Sequence, residues 1–182
     1  MALAVTAMTA HGATIPVTTT LDGPITGTTN DGLCSLREAV VSATLDTAVQ
    51  GCPAGSGADV VALPAGTFTL TASGFTDQQG FAGDIDVTGS VVRVLGAGAG
   101  ATVIQVGFED RAFDVFSTAD LTLEGLTVRG ARLPDDSGAN GAGVRNQGRL
   151  TVIRVEFADN EAGLGDNTDG LGGLGGGGGA IW

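Results

Sequence analysis

Asp84 and Asp86 stand two apart in the β-rich run Asp84-Ile85-Asp86-Val87. Side chains at i and i+2 leave a strand on the same face, so both carboxylates point one way. If Ile85 and Val87 point inward, the two acids point outward. Asp114 and Asp120 follow one or two repeats later, with Arg111 and Arg129 nearby. Carboxylates gathered around a cation, with an arginine to take a proton, are the parts of an elimination site. The plainer reading is that outward acids simply solvate a strand. We prefer it, because the chain carries a net charge of −12 and an acidic surface repels polyanionic substrates.

A second group of acids, Asp159, Asp166 and Asp169, lies in or near the Gly-rich stretch 163–179. Oxygen ligands on such a loop suit Ca²⁺. Their spacing matches neither an EF-hand loop nor the glycine-rich nonapeptide, so an Asp- and Gly-rich turn is the simpler reading. The run Gly170 to Gly179 is no phosphate loop, since it lacks the Lys-Ser/Thr ending and the protein has no lysine. The single histidine, His11, stands near the N-terminus, which leaves no Ser/His/Asp or Cys/His nucleophile and no usual zinc set. Asn146, aligned with Ser117 by the repeat described below, reads as part of a structural turn row. No catalytic, cofactor-binding or metal residue is assigned from the sequence, and no cofactor is expected.

Composition narrows the class. Among 182 residues there are 8 basic residues, all arginine, against 20 acidic ones. Nucleic-acid binding by phosphate neutralisation is excluded. No apolar run approaches the ~20 residues of a membrane-spanning helix. Met1 to Ala10 is apolar or small, and Ala10-His11-Gly12-Ala13 offers small residues for a peptidase, as in a secretory leader without its basic start. Two cysteines, Cys34 and Cys52, add to the case for an oxidising, extracytoplasmic setting.

These residues must be positioned by short elements. Ser35 and Glu38 have capping-box spacing, and Leu36, Val40 and Ala43 share one helical face, so a helix is expected over about 35–45. From Val60 onward the chain reads as strands: 60–63, 67–70, 84–87, 91–95, 102–106, 121–123, 126–128 and 150–157. Repetition is the strongest signal. Leu121, Leu123, Leu126 and Val128 recur as Leu150, Val152, Val155 and Phe157, an offset of 29, which also sets Ser117 against Asn146 and Asp114-Val115 against Gly143-Val144. A looser copy, Val92-Arg93-Val94, precedes by 29, and Ile181 falls where Val144 stood. Such a period, with several strands and no helix per unit, points to a parallel β-solenoid. A β-sandwich is the rival, but it needs no fixed period.

The run Cys34-Ser35-Leu36-Arg37-Glu38-Ala39 follows Asn30-Asp31-Gly32 and precedes Leu63-Pro64-Ala65-Gly66-Thr67-Phe68-Thr69-Leu70. It resembles the N-terminal CSLREA segment of bacterial right-handed parallel β-helix proteins of pectin-lyase-like architecture, and Gly96 to Ile104 is similar too. The resemblance covers nearly the whole chain from about residue 17. It implies a secreted or surface-attached repeat protein. It further implies that the helix covers one end of the core and that Cys34 pairs with Cys52. Relatives of that architecture include enzymes on uronic-acid polymers. However, Asn167-Thr168-Asp169 and Asp135-Asp136 come in the reverse of the hydrolase order, and no Gly-His-Gly occurs.

The expectation is therefore an all-β, right-handed parallel β-helix (β-solenoid) with a short N-terminal capping α-helix. Residues 1–13 form a leader, 14–57 a cap, and 58–182 the β-helix, incomplete at its C-terminal end as in a piece of a longer protein. The expected role is an extracellular or cell-surface bacterial scaffold for adhesion or binding. Its partners are surface glycans or other surface proteins, met through loops 131–142 and 159–179. The alternative is a lyase or hydrolase on acidic polysaccharide.

Overall fold

The computed structural model describes residues 12–26, 30–74, 77–134, 140–163 and 178–182. Ten strands and one helix are found there: β1 (Thr14–Pro16), α1 (Leu36–Leu45), β2 (Ala58–Ala62), β3 (Gly66–Leu70), β4 (Ile85–Val87), β5 (Val91–Leu95), β6 (Thr102–Val106), β7 (Phe113–Val115), β8 (Asp120–Arg129), β9 (Val144–Asn146) and β10 (Arg149–Ala158). Most of the leader, Asp135-Asp136, Asn167-Thr168-Asp169, Asp166 and most of the two expected contact loops lie outside the described residues.

The expected right-handed β-helix is not what the strands build. The structure is a curled half-barrel in which six parallel strands sweep 211°, accompanied by one short helix. The larger sheet runs β1-β2-β5-β8-β6-β3, with β10 also paired to β8. The smaller is β4-β7-β9. The difference turns on β8. The sequence suggests two strands, 121–123 and 126–128, separated by Glu124-Gly125. Instead these form one strand of 10 residues. Its first half pairs with β5 and its second half with β6. Strands expected as separate are thereby joined into a single curved sheet.

The 29-residue offset survives as strand register. Leu121 pairs with Leu150 and Val92 with Leu121. In the smaller sheet the offset changes: Phe113 pairs with Val144, and Asp114 with Arg145, 31 apart. Four residues, 116–119, join β7 to β8, whereas two, 147–148, join β9 to β10. The shorter turn absorbs the difference. Asn146 therefore ends β9 opposite Val115, not in a turn row with Ser117.

The core is a column of Val, Leu, Ile and Phe between the two sheets, with Ile15, Val61, Val94, Leu121, Leu123, Leu126 and Val128 fully buried. Helix α1 packs on β2, β4 and β5. It begins with the expected capping box: Ser35 Oγ accepts from the Glu38 backbone N–H, and the Glu38 carboxylate accepts from the Ser35 N–H. Leu36, Val40 and Ala43 are buried as the spacing suggests, but so are Arg37, Glu38, Val41 and Ser42. The helix is thus enclosed rather than amphipathic. Cys34 and Cys52 form a disulfide that ties the residue before the helix to the chain beyond it.

Candidate functional site

The smaller sheet positions the acids. Its strands are three residues each; the outer residues Ile85, Val87, Phe113, Val115 and Val144 face the core, and the middle residue of each strand faces the other way. Those five core residues are at 0% exposure. The middle residues Asp86, Asp114 and Arg145 stack in register across three strands. Asp84 precedes β4 and Arg111 precedes β7, so both arrive at the same face.

The result is a cleft of about 350 Å³, lined by Asp77, Asp84, Asp86, Glu109, Asp110, Arg111, Asp114 and Arg145, with Leu133 and Pro134 among its apolar walls. Carboxylate oxygens of Asp84, Asp86 and Asp114 lie within 4.8 Å of one another, and all three residues are buried. The expectation that these acids solvate an outer strand is therefore corrected. They do turn away from the core, but into a cleft.

Like charges opposite each other in a sheet repel, and two arginines offset part of that repulsion. Arg145 grips Asp114 with Nε on Oδ1 at 2.9 Å and Nη2 on Oδ2. Arg111 Nη1 lies 3.4 Å from Asp84 Oδ2 and 3.9 Å from Asp114 Oδ2. The Arg111 Nε–H is buried without a partner. Asp86 is only 2% exposed and makes no ion pair among the described residues. Its Oδ2 accepts from the Gly80 N–H at 2.9 Å.

Protonation follows from these surroundings. Burial first, then the Asp110 and Asp86 charges, pushes Asp84 up to about 8. Burial likewise raises Asp86 to about 7, against the Gly80 hydrogen bond that lowers it. Asp110 is also raised, again chiefly by burial. The hydrogen bond to Asp114 raises Arg145 further and holds it as a cation.

Of the sequence candidates, the fold gathers Asp84, Asp86, Asp114 and Arg111. It sends Asp120 to Arg149, 3.6 Å away at the start of β8, and Arg129 to Gln105 at 2.7 Å. Asp159 follows β10 in a left-handed conformation, φ 54°, and is not among the cleft residues. Sequence reasoning missed Arg145, Asp110 and Asp77. Arg145 was hidden by the register: an offset of 29 sets Gly143 against Asp114, and only 31 brings Arg145 there.

The donor set is all oxygen, which suits hard cations such as Ca²⁺, Mg²⁺ or Mn²⁺ over zinc or copper. Asp84, Asp86 and Asp114 are the residues that could hold one. Among the described residues no helix is long and apolar enough to cross a membrane. No family model, curated protein or solved structure matches this chain.

Proposed function

We propose that the protein is a secreted or cell-surface binding protein, and that its acidic cleft is a ligand site for a divalent cation of the calcium class. One observation carries the reading: Asp86 is a buried carboxylate without an arginine partner, in a solvent-reaching cleft, with oxygens of Asp84 and Asp114 within 4.8 Å. Burying charge without a partner is costly, and a bound cation removes that cost. Secretion is supported by the disulfide and the apolar N-terminal run.

The cation competes with protons on Asp84 and Asp86, so its affinity rises with pH. Affinity in the range of extracellular calcium modules, about 10⁻⁴–10⁻³ M, is expected. Calorimetric titration of the metal-free protein with CaCl₂ at pH 8 tests this, beside Asp84→Asn and Asp86→Asn. Saturable binding lost in both variants supports the site. Absence of binding at millimolar calcium overturns it.

The polysaccharide-lyase reading gains one feature, an arginine inside an acidic cleft. Both cleft arginines, however, are already ion-paired to carboxylates, and the net charge of −12 opposes a polyanionic chain. Binding without turnover is therefore the better reading. Calcium-dependent release of unsaturated products from a polyuronate would reverse that ranking.

A further inference from the structure

Arg37 is fully buried in α1, and it is not among the residues lining the cleft. Its guanidinium is nonetheless bonded along the segment that carries the cleft acids. Nη2 donates to the Gly83 carbonyl at 2.7 Å, and Nη1 to the Gly80 and Asp84 carbonyls at 3.1 and 3.2 Å. Nε donates to Asp22 Oδ1 at 2.9 Å and Nη2 to Asp22 Oδ2 at 3.2 Å. Asp22 Oδ2 in turn accepts from the Thr71 and Ala72 N–H groups at 2.7 and 3.0 Å. One planar fork thus fixes three carbonyls of residues 80–84 and one carboxylate.

That segment sets the acids directly. The Gly80 N–H holds Asp86 Oδ2, and Gly83 is pinned by its N–H on the Ala72 carbonyl at 2.6 Å. Gly83 has φ +70°, and a Cβ there would meet the Gly74 carbonyl. We infer that Arg37 is a positioning residue for the acidic cleft, linking the disulfide-tied helix to the placement of Asp84 and Asp86. This rests on the cation reading above. Asp22 neutralises the guanidinium, so the link acts through backbone placement rather than through its charge. A lysine, with one compact ammonium, cannot span the same four partners.

The test compares wild type with Arg37→Lys, Arg37→Met and Asp22→Asn. Two quantities are measured on folded protein at low temperature: calcium affinity, and hydrogen exchange of the Gly80 and Gly83 amides. Val94→Ala, which loosens the core away from the cleft, controls for general destabilisation. Supporting partners of metal ligands typically contribute 10–100-fold in affinity. Arg37→Met is expected to weaken calcium by that factor and to lose protection at Gly80 and Gly83. Arg37→Lys should fall between it and wild type, and Val94→Ala should bind as wild type. A folded Arg37→Met with wild-type affinity and protected amides overturns the inference. If neither Arg37 variant folds, Asp22→Asn decides in the same terms. If wild type binds no calcium, the cation reading fails and amide exchange alone judges Arg37: loss confined to 80–86 upholds the positioning role, and loss as uniform as in Val94→Ala overturns it.

Discussion

Asp114 and Arg145 face each other across the parallel pair β7–β9, and the guanidinium meets the carboxylate through two nitrogens. Asp114 is 2% exposed, while the arginine side chain is about one third exposed. Arg145→Met leaves buried Asp114 beside two other carboxylates, with Arg111 at 3.9 Å as its remaining ion-pair partner. Because the arginine is partly solvated, a loss of about 2 kcal/mol is expected, below the full cost of breaking a buried pair. In a double-mutant cycle with Asp114→Asn, urea unfolding should show the double variant losing less than the sum of the single ones.

The raised carboxyls make stability fall with pH. Asp84 and Asp86 bind protons more tightly folded than unfolded, at about 8 and 7 against the ordinary 3.8. Their favourable contribution is complete below about pH 4 and is lost as pH rises through 7 and 8. Asp77, Asp110 and Asp114 face the pair as like charges, with Arg111 and Arg145 as the opposing ones. Metal-free protein should therefore lose on the order of a few kcal/mol between pH 5.5 and 9 in urea denaturation. Asp84→Asn should flatten that slope and exceed wild type in stability at pH 9. A wild-type profile that rises over this range would contradict the burial argument.

Calcium should act in the opposite direction. A ligand that binds only the folded state stabilises it by about 2.7 kcal/mol at a concentration 100 times its dissociation constant. The gain in melting temperature on adding calcium should be larger at pH 8 than at pH 5.5, and chelator should abolish it. A gain independent of pH would place the ion elsewhere than on Asp84 and Asp86.

Removing the disulfide by Cys34→Ala with Cys52→Ala opens a loop with a sequence separation of 18. Such a loop contributes about 3 kcal/mol by restricting the unfolded chain. The double variant should unfold at correspondingly lower urea.

Gly125 and Arg154 occupy matching kinks of β8 and β10, with φ +62° and +51°. Glycine accepts this conformation freely, and arginine does not. Gly125→Ala should lose about 1–2 kcal/mol, since its Cβ would also stand 3.1 Å from the Gly96 carbonyl. Arg154→Gly should lie near neutral. Relief of about 1 kcal/mol offsets the Glu124 ion pair, which is worth little on an arginine whose side chain is 72% exposed.

Much of the strand content was legible because alternation and repetition are local signals. Val91–Leu95 and Thr102–Val106 form strands at the expected bounds, and Leu121 meets Leu150 as the repeat requires. The overall form was not legible. Periodicity reports which residues pair, but not whether Glu124-Gly125 breaks the chain or bends one continuous strand. β1, β7 and β9, three residues each, were missed as strands. The acids Asp84 and Asp86 were visible as a pair, yet the cleft they enter also holds Arg145, whose partner Asp114 is set by a turn two residues shorter than its counterpart. Arg37 looked like one charge on a helix, and only the packing of α1 shows it holding three carbonyls.

Among the described residues every strand pair, in both sheets, runs parallel. Among these strands no hairpin can therefore form early and cheaply, and each pairing must close a long stretch of chain first. β8, bonded to β5, β6 and β10, is the strand on which those closures converge. Folding should consequently be slow, with a single barrier governed by β8, and the refolding rate should respond more to Leu123→Ala in its centre than to the same change at Leu70 in β3.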